Sequence, residues 1–152
     1  MNIKKRILVL LLLALSLVIL VGCAEKEEKS IYEYKQDGIK LTFNYFHKKD
    51  IVQKQINENE SSFENLNVTS AEEAKALVDK VKDQYNAVKG VNYQADISDN
   101  KVIEKIEIDY NNLDFEAAKK IPGTKFTSEN VQKVSMKKTE EVLLQMGFKK
   151  VE

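Results

Sequence analysis

The fold is decided by the stretch IYEYKQDGIKLTFNY at residues 31–45, where two segments flank an Asp-Gly pair. Apolar and polar residues alternate from Ile39 to Tyr45, and this two-residue period predicts a half-buried strand. Asp37-Gly38 is a strong signal for a tight turn between antiparallel strands. Residues 31–35 are therefore expected to pair with residues 39–45 in a β-hairpin.

Beyond this hairpin, the chain alternates between strand-like and helical patterns. Residues 51–57 follow the polar tip at 47–50 and are predicted to form the next antiparallel strand, and residues 65–68 are a weaker extended segment. Two-residue periodicity predicts a second strand pair at 91–97 and 101–110. A short helix is predicted from Asp114 to Lys120, before Pro122-Gly123. A last helix begins near Ser135 and ends at Gly147, and it is expected to bury Met136, Leu143 and Met146.

The clearest helix is predicted at residues 71–89, where apolar residues recur every three or four positions. Ser70 and Glu73 fit a capping box at its start, and Gly90 is placed for a left-handed residue at its end. The predicted order is strand-strand-strand-helix-strand-strand-helix-helix. This order favours an α+β domain, an antiparallel β-sheet with helices packed on one face.

The first 23 residues have the organisation of a bacterial lipoprotein signal. A basic start at residues 4–6 precedes the uncharged segment Ile7–Val21. A basic start, a short apolar core and small residues before a cleavage point are typical of secretory signals. The run Leu20-Val21-Gly22-Cys23 resembles a lipobox, in which the chain is cut between Gly22 and Cys23 and the cysteine thiol receives a diacylglycerol.

Two other interpretations of this segment fit the sequence less well. A retained transmembrane helix needs about 20 apolar residues, whereas Ile7–Val21 is shorter. A simple cleaved signal would leave Cys23, the only cysteine, as an odd thiol on a secreted protein. The sequence therefore predicts a signal peptide at 1–22, an acylated cysteine with a charged tether at 23–30, and one folded domain at 31–152.

The composition limits the classes of partner. The chain has 24 basic and 24 acidic residues, and removal of residues 1–22 leaves 21 against 24, a net charge of about −3. Binding to nucleic acid depends on clustered basic residues, so no nucleic acid is expected as a partner. The same balance gives no overall attraction to an anionic membrane surface.

No catalytic, metal or cofactor site is predicted. His47, the only histidine, falls in a lysine-rich hairpin tip and is interpreted as an inert surface residue. Zinc-binding spacing is missing, and Asp96, Asp99 and Asn100 are interpreted as turn residues rather than calcium ligands. Glu104 interrupts an apolar strand face, and an edge or sheet-end position is favoured over a buried functional acid. The protein is therefore expected not to be an enzyme.

The six tyrosines include the only candidate binding residues. Four of them fall on faces assigned to the core: Tyr45, Tyr85, Tyr93 and Tyr110. Tyr32 and Tyr34 share one face of the first strand, where they either bind a ligand or pack in the core. Packing is the favoured alternative, because aromatic rings bury a large area.

Short segments between Gly38 and Lys150 together match a known pattern: 42–45, TSAEEAK at 69–75, KGV at 89–91, IDY at 108–110, IPGTKF at 121–126, SMKK at 135–138 and GFK at 147–149. On these segments the chain resembles the YehR-like bacterial lipoproteins, a family of unknown function. These segments are cap, turn and core features. The resemblance therefore implies the fold and family membership, and it adds no substrate and no site residue.

Together these features predict an extracytoplasmic lipoprotein in the outer leaflet of a Gram-positive cytoplasmic membrane. Membrane lipid is its expected partner through acylated Cys23, and an envelope protein or small ligand is the second. A binding or envelope-assisting domain is favoured, with an exposed apolar patch or a cleft on the sheet. Two alternatives remain, an enzyme of unrecognised type and a peptide pheromone cut from the signal at Leu15–Gly22.

Overall fold

The structure, a computed structural model, describes residues 25–121 and 133–152. The strands of these residues form a single antiparallel sheet. In chain order the elements are β1 (Glu28–Gln36), β2 (Ile39–Lys48), β3 (Ile51–Ser62), α1 (Ala71–Asn86), β4 (Val91–Ser98), β5 (Lys101–Asp109), α2 (Phe115–Ala118), β6 (Val134–Ser135), α3 (Met136–Gln145) and β7 (Lys149–Lys150). The predicted α+β class and element order are confirmed, with the two-residue strands β6 and β7 as additions.

The strands lie in the order β4-β5-β3-β2-β1-β7, and β6 pairs separately with the beginning of β3. The hairpin predicted at residues 31–45 is confirmed, because Gln36 pairs with Ile39 across Asp37-Gly38. Gly38 has a φ of 70°, which a glycine adopts without steric cost. Strands β2 and β3 continue the meander, and a register shift after Phe46 marks a bulge between them.

Three apolar clusters lie among the described residues. The smallest (Val88, Ala118 and Ile121) includes the end of α2, and the two larger ones hold α1 and α3 against one face of the sheet. The first of the larger clusters lies under α3, and its buried members are Tyr32, Tyr45, Val52, Met136, Leu143 and Phe148. The second lies under α1, and its buried members are Phe63, Ala74, Val78, Tyr93, Val102 and Ile106. Helix α1 packs mainly on β4, and α3 lies beside β6 and β7. Among the described helices, none has the length and apolar character needed to cross a membrane.

The start of α1 is capped by a variant of the predicted box. The Ser70 hydroxyl accepts a hydrogen bond from the Glu73 backbone N–H at 3.2 Å, as predicted. The Glu73 carboxylate, however, accepts from the backbone N–H of Thr69 at 2.7 Å, one residue earlier than a capping box requires. The helix ends at Asn86, three residues before the predicted end, because the chain must turn to reach Gly90.

Three local predictions were wrong. Residues 65–68 lie in a turn and an irregular segment instead of a strand, because β3 continues to Ser62. Strand β1 begins at Glu28, so three residues of the predicted tether belong to the sheet. Met146 is 62 % exposed, since it follows the last turn of α3 and the chain buries Phe148 in its place.

Candidate functional site

Tyr32 and Tyr34, the two candidate binding aromatics, both pack in the first apolar cluster. Tyr32 is 0 % exposed, and its ring meets that of Tyr45 edge to face at a centroid distance of 6.0 Å. The Tyr34 ring packs against Phe148 at 5.4 Å. The structure thus supports packing, the favoured alternative, for both residues. Gly22 and Cys23, the predicted cleavage and lipidation residues, lie outside the described residues.

His47 is not the surface residue that its lysine-rich neighbourhood predicted. It is the last core-facing residue of β2 and is only 7 % exposed, because that strand continues to Lys48. Its Nε2 lies 3.2 Å from the Ser30 hydroxyl, and its Nδ1 lies 2.7 Å from the backbone carbonyl of Lys49. Both ring nitrogens therefore have structural partners that tie β1 and the β2–β3 turn together.

Glu104 does not lie at an edge or an end of the sheet, which corrects its favoured interpretation. Its strand, β5, lies between β4 and β3. The Glu104 carboxylate accepts a hydrogen bond from the Tyr93 hydroxyl at 2.5 Å. Burial, followed by this hydrogen bond and the charge of Glu104, raises the pKa of Tyr93 far above its usual range. The carboxylate is thus a partner for a buried tyrosine hydroxyl.

Polar side chains separate the two larger apolar clusters in the middle of the sheet. Gln55, Asn57 and Asn59 occupy alternate positions of β3 on the face that the helices cover, and we call them the amide row. This face of a sheet is normally apolar, because burying a polar group costs free energy unless it is hydrogen-bonded. The amide row is the functional candidate that the sequence analysis missed, although alternate Gln and Asn residues at 55–59 were its signal.

Hydrogen bonds satisfy part of the amide row. The Gln55 amide accepts from the Tyr110 hydroxyl at 2.6 Å and donates to the Asn57 side-chain oxygen at 2.6 Å. The Asn59 side-chain oxygen is buried and has no hydrogen-bond partner among the described residues. Asn59 lies beside Glu104 on the neighbouring strand, so two acceptor groups are adjacent. A donor such as a water molecule would complete this end of the row.

Replacement of Gln55 tests whether the amide row contributes to stability. We expect Gln55→Leu to lower the free energy of unfolding by about 2 kcal/mol, because Tyr110 and Asn57 both lose a partner. Gln53→Leu is the matched control, since among the described residues the Gln53 amide donates to a single group, the backbone carbonyl of Ile51. Urea unfolding measures the free energy of unfolding of both variants. An equal loss of stability in the two would show that the hydrogen bonds of Gln55 in the amide row stabilise the protein no more than the single hydrogen bond of Gln53.

A cavity of about 340 Å³ opens on the opposite face of the sheet, which the described helices leave uncovered. We call it the sheet-face cavity. It crosses four strands, and the side chains that line it include Lys40 and Thr42 of β2, Glu58 and Glu60 of β3, Ile103 and Lys105 of β5, and Gln94 and Asp96 of β4. The predicted cleft on the sheet therefore exists, but it does not involve Tyr32 or Tyr34.

Charged groups of both signs surround an apolar centre in this cavity. Ile103 is 39 % exposed and lies between Glu60 and Asp96 on the neighbouring strands. A hydrogen bond from Lys101 at 2.9 Å lowers the pKa of Glu60, so this carboxylate is already paired. Lys40 and Asp96, by contrast, make no ion pair in the described part of the chain. The charge of Lys40 also lowers the pKa of Glu60, its neighbour across the strands, but the Lys40 ammonium group makes no direct contact with that carboxylate. Lys40 and Asp96 can therefore both still pair with a ligand.

Metal binding has no support from the described ranges, which contain no group of three or more His, Cys, Asp or Glu residues that could hold an ion. Asp99 adopts a φ of 42° in the β4–β5 turn, in agreement with its interpretation as a turn residue. The same interpretation was wrong for Asp96, which lies within β4 and pairs with Ile103.

Comparison with known proteins assigns the family. The family described as "Protein of unknown function (DUF1307)" matches residues 28–149. The chain belongs to this family. The described elements from β1 to the first residue of β7 therefore represent the DUF1307 domain.

The curated relatives of this DUF1307 protein are named as lipoproteins. The uncharacterized lipoprotein Lin0239 of Listeria innocua is 31 % identical over 152 residues, which covers 100 % of this chain and 99 % of the relative. The uncharacterized lipoprotein YehR of Escherichia coli is 29 % identical over 133 residues, 87 % of each chain. The resemblance to YehR-like lipoproteins is thus confirmed.

Two solved structures share the DUF1307 architecture. The NMR structure of E. coli YehR superposes with a TM-score of 0.73 at 27 % identity, covering 84 % of this chain and 93 % of YehR. An NMR structure of a Streptococcus pneumoniae protein superposes with a TM-score of 0.57 at 16 % identity, covering 86 % of this chain and 90 % of the other. The second similarity shows the fold alone.

Proposed function

We propose that this protein is an extracytoplasmic lipoprotein, anchored through Cys23, whose domain binds a small ligand in the sheet-face cavity. The observation that carries the binding role is the arrangement of this cavity, an apolar centre at Ile103 with free charges of both signs around it. Ligand sites are typically concave and combine apolar surface with a few polar groups that fix orientation.

The anchoring part of the proposal is supported by similarity and by the signal sequence. Lin0239, which is named as a lipoprotein, matches this chain over all 152 residues, signal region included. The run Leu20-Val21-Gly22-Cys23 supplies the cysteine to which acyl chains would be attached. Two or more acyl chains give stable attachment, because one chain alone binds a membrane only marginally. We place the domain on the outer leaflet of a Gram-positive cytoplasmic membrane.

The chemistry of the cavity favours a ligand with both an amine and a carboxylate. Lys40 offers an ammonium group, Asp96 offers a carboxylate, and Thr42 and Gln94 offer neutral hydrogen-bonding groups. Ile103 between them suits an apolar side chain. An amino acid or the end of a short peptide combines these features, and a volume of about 340 Å³ accommodates a ligand of this size.

Binding rather than catalysis is favoured because the candidate catalytic groups have structural partners. Both ring nitrogens of His47 are engaged by Ser30 and Lys49. The Glu104 carboxylate accepts from the Tyr93 hydroxyl. A general acid or base must instead be free to reach a proton on the substrate.

Ile103→Lys tests the proposed site. The new ammonium group would lie between Glu60 and Asp96, so we expect it to fill the cavity and occupy Asp96 without unfolding the sheet. Titration of the labelled protein with zwitterionic dipeptides, followed by amide chemical shifts, should show shifts at Thr42 and Gln94 in the native protein. These shifts should weaken by at least about tenfold in the variant, the effect of losing about 1.4 kcal/mol of binding free energy.

Leu144→Lys is the matched control, because Leu144 is also an exposed apolar residue (50 %) but lies on α3, on the helix side of the sheet. It should bind dipeptides like the native protein. Equal binding by the native protein and Ile103→Lys, or no shifts at the cavity with any dipeptide, would contradict the proposed ligand class.

A further inference from the structure

We infer that a second cavity, at the end of the sheet nearest the lipid anchor, binds the headgroup of an anionic phospholipid. This cavity has a volume of about 450 Å³, and Glu25, Lys48, Gln53, Tyr110, Asn111 and Lys133 contribute to its lining. We call it the anchor-side cavity. The inference rests on the proposed acylation of Cys23 and adds a membrane contact that the anchor itself does not require.

The chain trace places this cavity next to the bilayer. Glu25, which lines it, is two residues after Cys23, so their backbones are at most about 7 Å apart. Glu28 begins β1 and pairs with His47, which brings the start of the domain to the same end of the sheet as the β2–β3 turn. The Asp37-Gly38 turn lies at the other end of β2, about 30 Å away.

Two lysines give the anchor-side cavity its affinity for a phosphate group. Lys48 and Lys133 are both exposed, and neither makes an ion pair among residues 25–121 and 133–152. Asn111 adds a side chain that can donate hydrogen bonds to phosphate or glycerol oxygens. Lysine binds phosphate as a point charge, so two ammonium groups at one cavity suit a phosphodiester.

Two carboxylates at this end are already engaged and compete little with the phosphate. Glu25 pairs with Lys49 at 2.5 Å, and this hydrogen bond lowers the pKa of Glu25. Asp50 accepts from the backbone N–H of Lys137 and the Ser135 hydroxyl, both at 2.8 Å. The acidic side chains of residues 27–28 are exposed, and the lysines at 26 and 29 flank them. The local charge is therefore less negative than that of the whole domain.

Covalent anchoring allows the anchor-side cavity to be occupied by a headgroup that it binds only weakly. The net charge of about −3 on the mature chain gives no attraction at long range. At distances below a Debye length of about 8 Å, however, individual lysines interact with headgroups independently of charges on the far side of the domain. An anchored domain also meets lipids at a high effective concentration, so modest affinity suffices.

Nuclear magnetic resonance of the mature, lipidated protein in lipid nanodiscs tests this inference. Nanodiscs of phosphatidylcholine are compared with nanodiscs in which the fraction of phosphatidylglycerol is increased. We expect amide shifts at Gln53 and Asn111 that saturate with phosphatidylglycerol, and none near Gly38. In the double variant Lys48→Gln/Lys133→Gln, the half-saturating fraction should rise by roughly tenfold, because each lysine near the surface contributes separately.

The matched control is Lys35→Gln/Lys101→Gln, which removes the same charge at the far end of the sheet, outside the lining of the sheet-face cavity, and should leave the titration unchanged. Equal shifts in both lipids, or an unchanged titration in Lys48→Gln/Lys133→Gln, would overturn the inference. Saturation by inorganic phosphate in phosphatidylcholine nanodiscs would assign the cavity to free phosphate and would also overturn it. Failure of lipidation is detected separately, because unmodified protein would elute apart from the nanodiscs.

Discussion

Gly90→Ala is expected to lower the free energy of unfolding by about 3 kcal/mol or more, for two physical reasons. Gly90 has a φ of +86°, a left-handed conformation that costs roughly 1–2 kcal/mol with a β-carbon. That carbon would also lie 2.7 Å from the Cα and 2.8 Å from the backbone N of Leu113. Because these are backbone atoms, the segment that follows β5 would have to move.

Gly147→Ala separates the two causes. Gly147 has a similar φ of +90°, but its added carbon would meet only the Tyr34 ring, at 3.6 Å. The free energy of unfolding of Gly147→Ala should therefore fall only by the cost of the left-handed conformation, about 1 kcal/mol. Guanidinium unfolding of both variants measures the two losses. If Gly90→Ala lowers the free energy of unfolding no more than Gly147→Ala does, the close approach of the Leu113 backbone to Gly90 is contradicted.

Cys23→Ala is expected to transfer the protein from the membrane fraction to the medium almost completely. No acyl chain can attach to alanine, so the lipid that is proposed to hold the mature chain at the membrane is lost. Immunoblots of membrane and medium fractions measure the distribution. Ala24→Gly, which changes the neighbouring residue and keeps the thiol, is the control and should remain in the membrane fraction.

Retention of Cys23→Ala in washed membranes would contradict the anchoring proposal if the retained chain has lost residues 1–22, which the mass of its N-terminal peptide shows. Retention of a chain that still carries residues 1–22 is a separate outcome. It would imply that the segment Ile7–Val21 stays in the bilayer as a membrane span, which is the alternative that its short length disfavours. The anchor-side cavity cannot explain such retention, because its contact with headgroups is proposed only for a chain already held at the surface.

The elements that the sequence predicts well are those with local causes. The hairpin around Asp37-Gly38 depends on a turn of two residues and on alternation in the flanking strands. The start of α1 depends on a cap within four residues, although the Glu73 side chain selects Thr69 instead of Ser70. These interactions are encoded within a few positions, so composition and spacing are sufficient to find them.

The sites depend on strand order and register, which the sequence does not reveal. Ile103 becomes the centre of a cavity only because β5 lies between β3 and β4. Asp50 stabilises the start of α3 across 87 positions of sequence. Similarly, His47 is buried because β2 continues past the lysine-rich segment that suggested an exposed tip. Contacts between distant residues decide each of these outcomes.

The sequence predicts the strand that carries the amide row but not the face on which the row lies. Residues 51–57 are predicted to form a strand, and Gln55 and Asn57 lie on the face of that strand that the helices cover. The direction in which a strand faces is set by its neighbours, so an internal polar row has the same appearance in sequence as a solvated one.

The proposed function depends most on the attachment of the binding domain to lipid at one cysteine, Cys23. Its most direct test is the mass of the mature protein extracted from membranes, with fragmentation of its N-terminal peptide. We predict a chain that begins at Cys23 and carries a diacylglycerol on the thiol. A chain that begins at any other residue, or an unmodified Cys23, would contradict the account.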